Sequence, residues 1–313
     1  MEKIKVVVVA GPTASGKTEL GVEIAKAFDG EIVSADSMQI YKGMNIATAK
    51  PTLEEMQGIP HHLIDFLDRN VAFSVADYVK LAGEKISNIY SRGKLPVIVG
   101  GTGLYISSLI DNIKFPDIKS DPLIRKKIED EINEKGKEAV FERLKAVDPE
   151  TASELHYNNT VRVIRALEVF EITGRKLSEF KEESRLQPSM YDALILGLNF
   201  SDRQKLYDRI NLRVDKMIQM GLIEEAREVF EAGEMKTAAN AIGYKELIPY
   251  FDNKSNLNDC IDKIKQETRR YAKRQLTWFR KNAKIQWVLL DEFDNKEKIF
   301  DYCKKCIAKR LSL

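Results

Sequence analysis

The sequence predicts an α/β fold in which a parallel β-sheet core is interrupted by a helical insertion domain. Short β-branched runs such as KVVVVA at residues 5–10 lack the alternation of a half-exposed strand, which indicates burial on both faces of a parallel sheet. These runs alternate with helical stretches, as in βαβ units. From about residue 116 to residue 189, charged helical segments replace the strands.

The first part of the core is predicted to contain three strands with helices between them. Ser74 is a plausible N-cap for the second of these helices. The strands span residues 5–10, 31–34 and 95–99, and the helices span residues 19–28 and 75–90.

The insertion is predicted to be helical. Asp121-Pro122 and Asp148-Pro149 are both helix start signals, because Asp caps a first turn and Pro is tolerated inside it. We predict helices over residues 121–144, from residue 148, and over residues 160–172.

After the insertion the core is predicted to resume. Strands are expected at residues 193–198 and 286–290, and helices from 201 to about 230, over 257–282, and at the C-terminus. The predicted domains are therefore a core of residues 1–115 and 190–313, and a helical insertion of residues 116–189.

Bulk composition excludes several classes of protein. The chain has 313 residues, 31% of them charged, yet its formal net charge is only +2, so nucleic-acid binding would need local clustering of cations. No apolar run approaches the roughly 20 residues of a membrane span, so no membrane partner is expected. No signal peptide is evident, which indicates the cytoplasm. The cysteines lack the partners of a disulfide framework or a zinc site.

The most informative motif is GPTASGKT at residues 11–18, which matches GxxxxGK[ST] in full. Backbone N–H groups and the following helix N-terminus are predicted to hold phosphate, with Lys17 on a terminal phosphate and Thr18 on Mg²⁺. A buried strand before the motif and a helix after it support this over a merely structural glycine turn. The core is therefore predicted to be P-loop NTPase-like. The expected phosphate ligands are Gly11, Thr13, Ala14, Ser15, Gly16, Lys17 and Thr18.

Two other predicted strands end in segments that should share the rim of this loop. The second strand runs into SADSMQ and the third into GGTGLY. Ligands of open α/β sheets bind beyond the carboxyl ends of the strands, so Asp36 should lie near the phosphate. A carboxylate there would bind a metal or handle a proton; alternatively, Asp36 only caps a helix. No acidic residue follows Val99, which counts against a motor or switch ATPase.

A basic stripe is predicted on the helix near the C-terminus. At about 100° per residue its cations fall within one arc, with almost no acid to balance them, as suits the backbone of a polyanion. A solvated face without a partner is the alternative. The cations are Arg269, Arg270, Lys273, Arg274, Arg280, Lys281 and Lys284. On another predicted helix, Arg209 and Arg213 lie one turn apart and could clamp a diphosphate or simply face solvent.

Together these segments resemble the tRNA dimethylallyltransferases, also called tRNA isopentenyltransferases. The resemblance spans nearly the whole chain in the family's order and is far more specific than the phosphate loop alone. The matching segments are GPTASGKT (11–18), SADSMQIYKGMNIATAKP (34–51), HHLID (61–65), PVIVGGTGLY (96–105), RVIRALEV (162–169), AIGYKE (241–246) and YAKRQLTWFR (271–280).

The resemblance implies transfer of a dimethylallyl group from dimethylallyl diphosphate to N6 of the adenosine 3′ of the anticodon in tRNA, with Mg²⁺ as cofactor. It implies that Asp36 is the general base and that Thr102 lies near the reacting centre, where the phosphate-loop motif also places Lys17 as a catalytic residue. A monomer that binds the tRNA anticodon stem-loop is expected. The expected tRNA contacts are Asp36, Ser37, Met38, Gln39, Thr102, Arg125, Arg162, Arg165, Arg269, Arg270, Lys273 and Arg274.

One position departs from the family pattern. Val161 stands where related sequences often carry Gln, so a polar contact to the anticodon loop would be missing or supplied by Asn158 or Asn159. Some eukaryotic relatives add a C-terminal zinc finger, and its absence here leads us to expect a member of the bacterial type.

Other functions stay open at this point. A small-molecule or nucleotide kinase would share the phosphate loop but would turn over ATP. A non-catalytic, nucleotide-dependent RNA-binding protein would need the loop and the basic helix but not Asp36. A free adenosine phosphate could also be the acceptor, although the insertion and the basic helix favour tRNA.

Overall fold

A computed structural model describes residues 3–113, 118, 120–185, 188–233 and 241–312 of the chain, which divides into two compact units. The core unit comprises Met1–Ile110 and Met190–Leu313, and the helical unit comprises Asp111–Ser189. The helical unit thus begins a few residues before the predicted boundary at residue 116.

In the described part of the chain, six strands form one sheet in the order β3-β2-β4-β1-β5-β6, with every neighbouring pair parallel. The predicted parallel α/β core is therefore confirmed. The short edge strand β3 was not predicted, because two residues carry no periodic pattern. The strands are β1 (Ile4–Ala10), β2 (Gly30–Ser34), β3 (His61–His62), β4 (Leu95–Gly100), β5 (Tyr191–Asn199) and β6 (Ile285–Leu289).

Helices of the core unit connect the strands and cover the sheet. They are α1 (Lys17–Ala27), α2 (Leu53–Met56), α3 (Val75–Ser91), α4 (Gly103–Ile110), α10 (Arg203–Gln219), α11 (Leu222–Glu231), α12 (Ile248–Phe251), α13 (Leu257–Phe279) and α14 (Lys296–Leu311). Ser74 caps α3 as predicted, accepting a hydrogen bond from the N–H of Asp77.

Burial on both faces explains why β1 shows no polar alternation. Val6 and Val8 pack with residues of α3 and α4 on one face, whereas Val7 and Val9 pack with residues of α1 and α14 on the other. All four valines are fully buried. Because helices lie on both faces, the carboxyl ends of the strands remain as the open rim where a ligand can bind.

The helical unit has its own apolar core, which includes Ile128, Leu144 and Leu167. Its buried Asp148 accepts hydrogen bonds from the N–H groups of Thr151 and Ser178 and so joins two of the helices. The helices are α5 (Pro122–Lys135), α6 (Lys137–Val147), α7 (Pro149–Ser153), α8 (Thr160–Thr173) and α9 (Leu177–Arg185).

Two predicted helix boundaries were wrong. The helix predicted over residues 121–144 is broken at Gly136, whose φ of 85° ends α5 and begins α6. The helix predicted to reach residue 282 ends at Phe279, because Asn282 forms a turn in which its Oδ1 accepts from the N–H of Lys284. None of the helices in the described ranges is long and apolar enough to cross a membrane.

Candidate active site

The segment at residues 11–18 forms the turn between β1 and α1. Ala14 and Gly16 adopt positive φ angles of 64° and 84°, which orient successive backbone groups inward. Gly11 lies against the neighbouring strand, where a Cβ would be 2.7 Å from the carbonyl oxygen of Leu198. The hydroxyl of Ser15 donates to the carbonyl of Pro12 at 2.8 Å and closes the loop on itself. The backbone thus has the shape that a phosphate-binding loop needs.

Lys17, the first residue of α1, is held in this loop. Its Nζ donates to the carbonyl of Pro12 at 2.6 Å. Burial and the nearby charge of Arg213 lower the pKa of Lys17 to about 7, while the charge of Asp36 acts in the opposite direction. An additional anion at the loop would favour the charged ammonium.

Helix α10 brings two arginines to the same loop. Arg209 Nε donates to the carbonyl of Ala14 at 2.9 Å, and Arg213 Nη1 lies 3.5 Å from the hydroxyl of Thr13. Burial lowers the pKa of Arg213, and the charge of Asp36 opposes this shift. The sequence left open whether these arginines face solvent; the structure places both guanidinium groups at the loop.

Asp36 follows β2 on the same rim. Its Oδ1 accepts from the N–H groups of Met38 and Gln39, at 2.8 and 3.3 Å, so the carboxylate caps the turn that follows it. Its charge also acts to raise the pKa values of Lys17 and Arg213, against the effect of burial. Capping and proximity to the phosphate loop are therefore both present, and one does not exclude the other.

Thr102 follows β4 and is bonded to the Asp36 segment. Its N–H donates to the carbonyl of Ala35 at 3.1 Å, and its Oγ1 accepts from the N–H of Ser37 at 3.1 Å. Gln39 is turned into the protein, where its Nε2 donates to the carbonyl of Ala49 at 3.0 Å. The structure thus brings Asp36, Ser37 and Thr102 together, and it uses the Gln39 amide to hold a neighbouring loop.

Glu225 of α11 supports that loop and was not singled out from the sequence. Its carboxylate accepts from the N–H groups of Asn45, Ile46 and Ala47 at 2.8–3.0 Å, and from the hydroxyl of Tyr244 at 2.8 Å. Charge-assisted bonds of this kind fix the backbone firmly. Only the folded chain reveals this contact, because α11 lies far along the sequence from the loop.

The inner face of α13 supplies three further residues that sequence reasoning missed. Gln275 bonds both the phosphate loop and the turn after β4. Tyr271 lies near Asp36, and burial, followed by the charge of Asp36, raises the pKa of the phenol. Trp278 Nε1 donates to Ser107 at 3.1 Å and packs where a Cβ on Gly103 would overlap its ring. The polar Gln275 within an otherwise apolar stripe of Ala272, Leu276 and Phe279 was the available sequence signal.

The basic stripe is less uniform than the sequence suggested. Arg269 Nη1 donates to Asn211. Arg270 is paired with Glu267, which also pairs with Lys263, so an acidic side chain neutralises part of the positive charge of the stripe. Lys273 and Arg274 are exposed on α13. Arg280, Lys281 and Lys284 lie beyond the end of the helix.

The predicted arginines of the helical unit have different environments. Arg165 bonds the buried Glu168 and the carbonyl of Ile118, so it holds this unit together. Arg125 is paired with Glu129 on α5. Arg162 is exposed at the start of α8, next to Val161, which is 66% exposed. An exposed apolar side chain therefore stands at the position that departs from the family pattern.

The donor set suits Mg²⁺ only in the presence of a phosphate ligand. Within the described residues there is no group of three or more His, Cys, Asp or Glu side chains that could hold a metal ion. Thr18, the second residue of α1, has a half-buried side chain, and Asp36 lies on the same rim. Mg²⁺ is commonly bound by one or two protein oxygens together with substrate phosphates, and the residues present fit that arrangement.

Sequence comparisons connect the chain with one family. The family model "IPP transferase" matches residues 39–282. The chain is 50% identical, over 313 residues and 99% of both chains, to a tRNA dimethylallyltransferase from Thermoanaerobacter sp. (strain X514). It is 49% identical, over 305 residues and 97% of both chains, to a tRNA dimethylallyltransferase from Acetivibrio thermocellus.

Solved structures give the same result for the fold. A full-length tRNA isopentenylpyrophosphate transferase from Bacillus halodurans is 43% identical, with a TM-score of 0.73 over 99% of both chains. A eukaryotic dimethylallyltransferase acting on tRNA is 30% identical, with a TM-score of 0.82 over 98% of this chain and 80% of that one. These neighbours share the P-loop NTPase-like fold.

Proposed function

This chain belongs to the tRNA dimethylallyltransferase family, and we propose that it transfers a dimethylallyl group from dimethylallyl diphosphate to N6 of the adenosine 3′ of the anticodon in tRNA. One observation carries the proposal. A complete phosphate loop and Asp36 share one rim of the sheet, and the charge of Asp36 is close enough to act to raise the pKa values of Lys17 and Arg213. A kinase would also use a proton acceptor beside its phosphates, and the family match favours prenyl transfer over phosphoryl transfer.

The reaction places two demands on the site. The bond between the allylic carbon and the diphosphate oxygen breaks, a bond from that carbon to N6 forms, and N6 loses a proton. The N6 amine is a weak nucleophile because its lone pair is delocalised into the ring. Asp36 accepts the proton as attack proceeds, a contribution of about 10²–10⁴-fold.

The leaving diphosphate gains negative charge as its bond breaks. The loop N–H groups, Lys17, Arg209 and Arg213 lie together at the loop as donors for this charge, so they stabilise that state more than the ground state. Thr18 would hold Mg²⁺ together with oxygens of the diphosphate, and the bound ion would supply additional charge neutralisation.

The tRNA is held by cations outside the reacting centre. The exposed Lys273 and Arg274 of α13 suit phosphate contacts, and the exposed Arg162 suits a contact from the helical unit. The target adenine must leave its stack to reach Asp36 and Thr102, as base-modifying enzymes require. The protein is proposed to act as a monomer in the cytoplasm.

The direct test supplies the purified protein with dimethylallyl diphosphate and unmodified tRNA, followed by mass spectrometry of the nucleosides. We expect a dimethylallyl adduct on the adenosine 3′ of the anticodon. Parallel reactions contain ATP alone, or adenosine monophosphate as the acceptor. ATP turnover without transfer to tRNA would instead support a kinase, and transfer only to free adenosine monophosphate would move the acceptor away from tRNA.

A further inference from the structure

The diphosphate side and the acceptor side of the site lie on loops that leave neighbouring strands. β1 and β4 are paired as far as Ala10 and Gly100, and β2 and β4 as far as Ser34 and Val99. Beyond these residues the sheet no longer fixes the spacing of the loops. Transfer depends on that spacing, because a misplacement of about 1 Å can cost about 10²-fold in rate.

Gln275 joins the two loops through a single side-chain amide. Its Oε1 accepts from the N–H of Thr13 at 2.9 Å, and its Nε2 donates to the carbonyl of Gly101 at 2.9 Å. A backbone N–H only donates and a carbonyl only accepts, so these partners determine which way round the amide lies. Gln275 is 6% exposed, so water does not compete well for either bond.

The approach of Gln275 to the second loop requires a glycine. A Cβ on Gly101 would overlap the Nε2 of Gln275. The absence of a side chain there therefore lets α13 come close enough for the bond to the Gly101 carbonyl.

Each end of the amide leads to a residue of the reacting centre. Thr13 lies next to Arg213 on the diphosphate side. Gly101 precedes Thr102, which bonds Ala35 and Ser37 on either side of Asp36. A shift of Gly101 relative to Thr13 would therefore move the Asp36 segment relative to the phosphate loop.

We propose that Gln275 is a positioning residue that fixes the diphosphate half of the site relative to the acceptor half. The inference rests on the proposed transfer reaction and adds to it a residue that touches neither substrate. Gln275 acts through Thr13 and Gly101, so its loss lowers the rate of transfer more than the affinity for diphosphate.

The test uses Gln275→Glu, which keeps the shape of the side chain and makes the bridge dependent on pH. A protonated glutamate can accept from Thr13 and donate to Gly101, whereas an ionised one cannot donate. We expect single-turnover transfer to fall about 10–100-fold at about pH 8 and to recover several-fold toward about pH 6, relative to the wild-type protein. Gln275→Leu removes both bonds and should lose rate without that recovery.

Gln266→Glu is the matched control, because it makes the same charge change on the same helix. The side chain of Gln266 accepts a hydrogen bond from Lys263, away from both loops. It should keep nearly the wild-type rate and pH profile. All rates are measured well below the lowest melting temperature of the set, so that unfolding does not enter the comparison.

The outcomes separate the inference from the proposed function. A wild-type pH profile in Gln275→Glu, or a wild-type rate in Gln275→Leu, would overturn the positioning role. A wild-type protein that transfers nothing would count against the proposed function instead. In that case hydrogen exchange decides the inference: Gln275→Leu should speed exchange of the N–H groups of Thr13 and Thr102 relative to Gln266→Glu, and unchanged exchange at both would overturn it.

Discussion

Lys17 is the side chain through which pH should act most directly on diphosphate binding. Its pKa is lowered to about 7 by burial and Arg213, and a bound diphosphate would raise it again. Above about pH 7, binding must therefore be accompanied by proton uptake at Lys17. The affinity for dimethylallyl diphosphate should fall as pH rises, with a limiting slope of about tenfold per pH unit.

Isothermal titration calorimetry in two buffers with different ionisation enthalpies measures this proton uptake. Lys17→Met serves as the control, since it retains only the proton exchange of the diphosphate itself. The expected result is a larger uptake by the wild-type protein at about pH 8 than at about pH 6. The same uptake in both proteins would show that Lys17 stays charged in the free site.

Asp36 combines a capping role with the proposed role of general base, and one substitution separates them. Asp36→Asn keeps an oxygen for the N–H groups of Met38 and Gln39, so stability should be nearly unchanged. The amide cannot accept a proton, so single-turnover transfer should fall about 10²–10⁴-fold with little change in tRNA affinity.

Loss of diphosphate affinity that high magnesium restores would mark Asp36 as a metal ligand. Near-normal chemistry would leave it only the cap, worth about 1 kcal/mol in Asp36→Ala.

Helix α13 performs two tasks with different side chains. Its inner face carries Gln275 and Trp278 to the site, and its outer face exposes Lys273 and Arg274. Lys273→Ala and Arg274→Ala should each weaken tRNA binding, and each should reduce the slope of log affinity against log salt by about one unit if one phosphate contact is lost.

Binding measured at several salt concentrations tests this prediction for α13. Lys263→Ala provides a control with the same change in charge on the same helix. Lys263 lies in an earlier turn of α13, where it is paired with Glu267. Its salt slope should stay near the wild-type value. Equal slopes for all the variants would mean that the outer face of α13 does not contact tRNA.

The stability of the whole core should depend on acid pH through a residue remote from the site. Glu31 is the second residue of β2 and is bonded to Arg92 and to His62 of the edge strand β3. The hydrogen bonds from Arg92, and then from His62, lower the pKa of Glu31 to about 2. A lowered pKa in the folded state stabilises the protein above the unfolded pKa of about 4.3, and this stabilisation is lost as pH falls toward about 2.

Thermal melts at several pH values measure this dependence. Glu31→Gln should lower the melting temperature at neutral pH by a few degrees, and the difference from wild type should shrink between about pH 4 and pH 2. Glu84→Gln, at an exposed position on α3, is the control. A constant difference at all pH values would contradict the role of the Glu31 charge.

Local patterns were sufficient to predict most elements of the fold. The apolar run of β1 and the start signals at Asp121 and Asp148 depend on residues close together in sequence, and the structure has elements at these places. The end of α13 and the break at Gly136 were missed, because single turns compete with helix continuation by small free-energy differences. The edge strand β3 is too short to produce a pattern and forms by pairing with β2.

The sequence by itself determined the parallel core, the phosphate loop and the presence of Asp36 on its rim, since each follows from a contiguous motif after a buried strand. Only the tertiary structure decided which distant residues complete the site. Gln275 lies 262 positions from Thr13 and 174 from Gly101, and Arg209 lies 195 from Ala14. No local propensity encodes such pairings. They arise because the packing of α10 and α13 on the sheet brings those side chains to the strand ends, where the buried polar groups of the loops require hydrogen-bond partners.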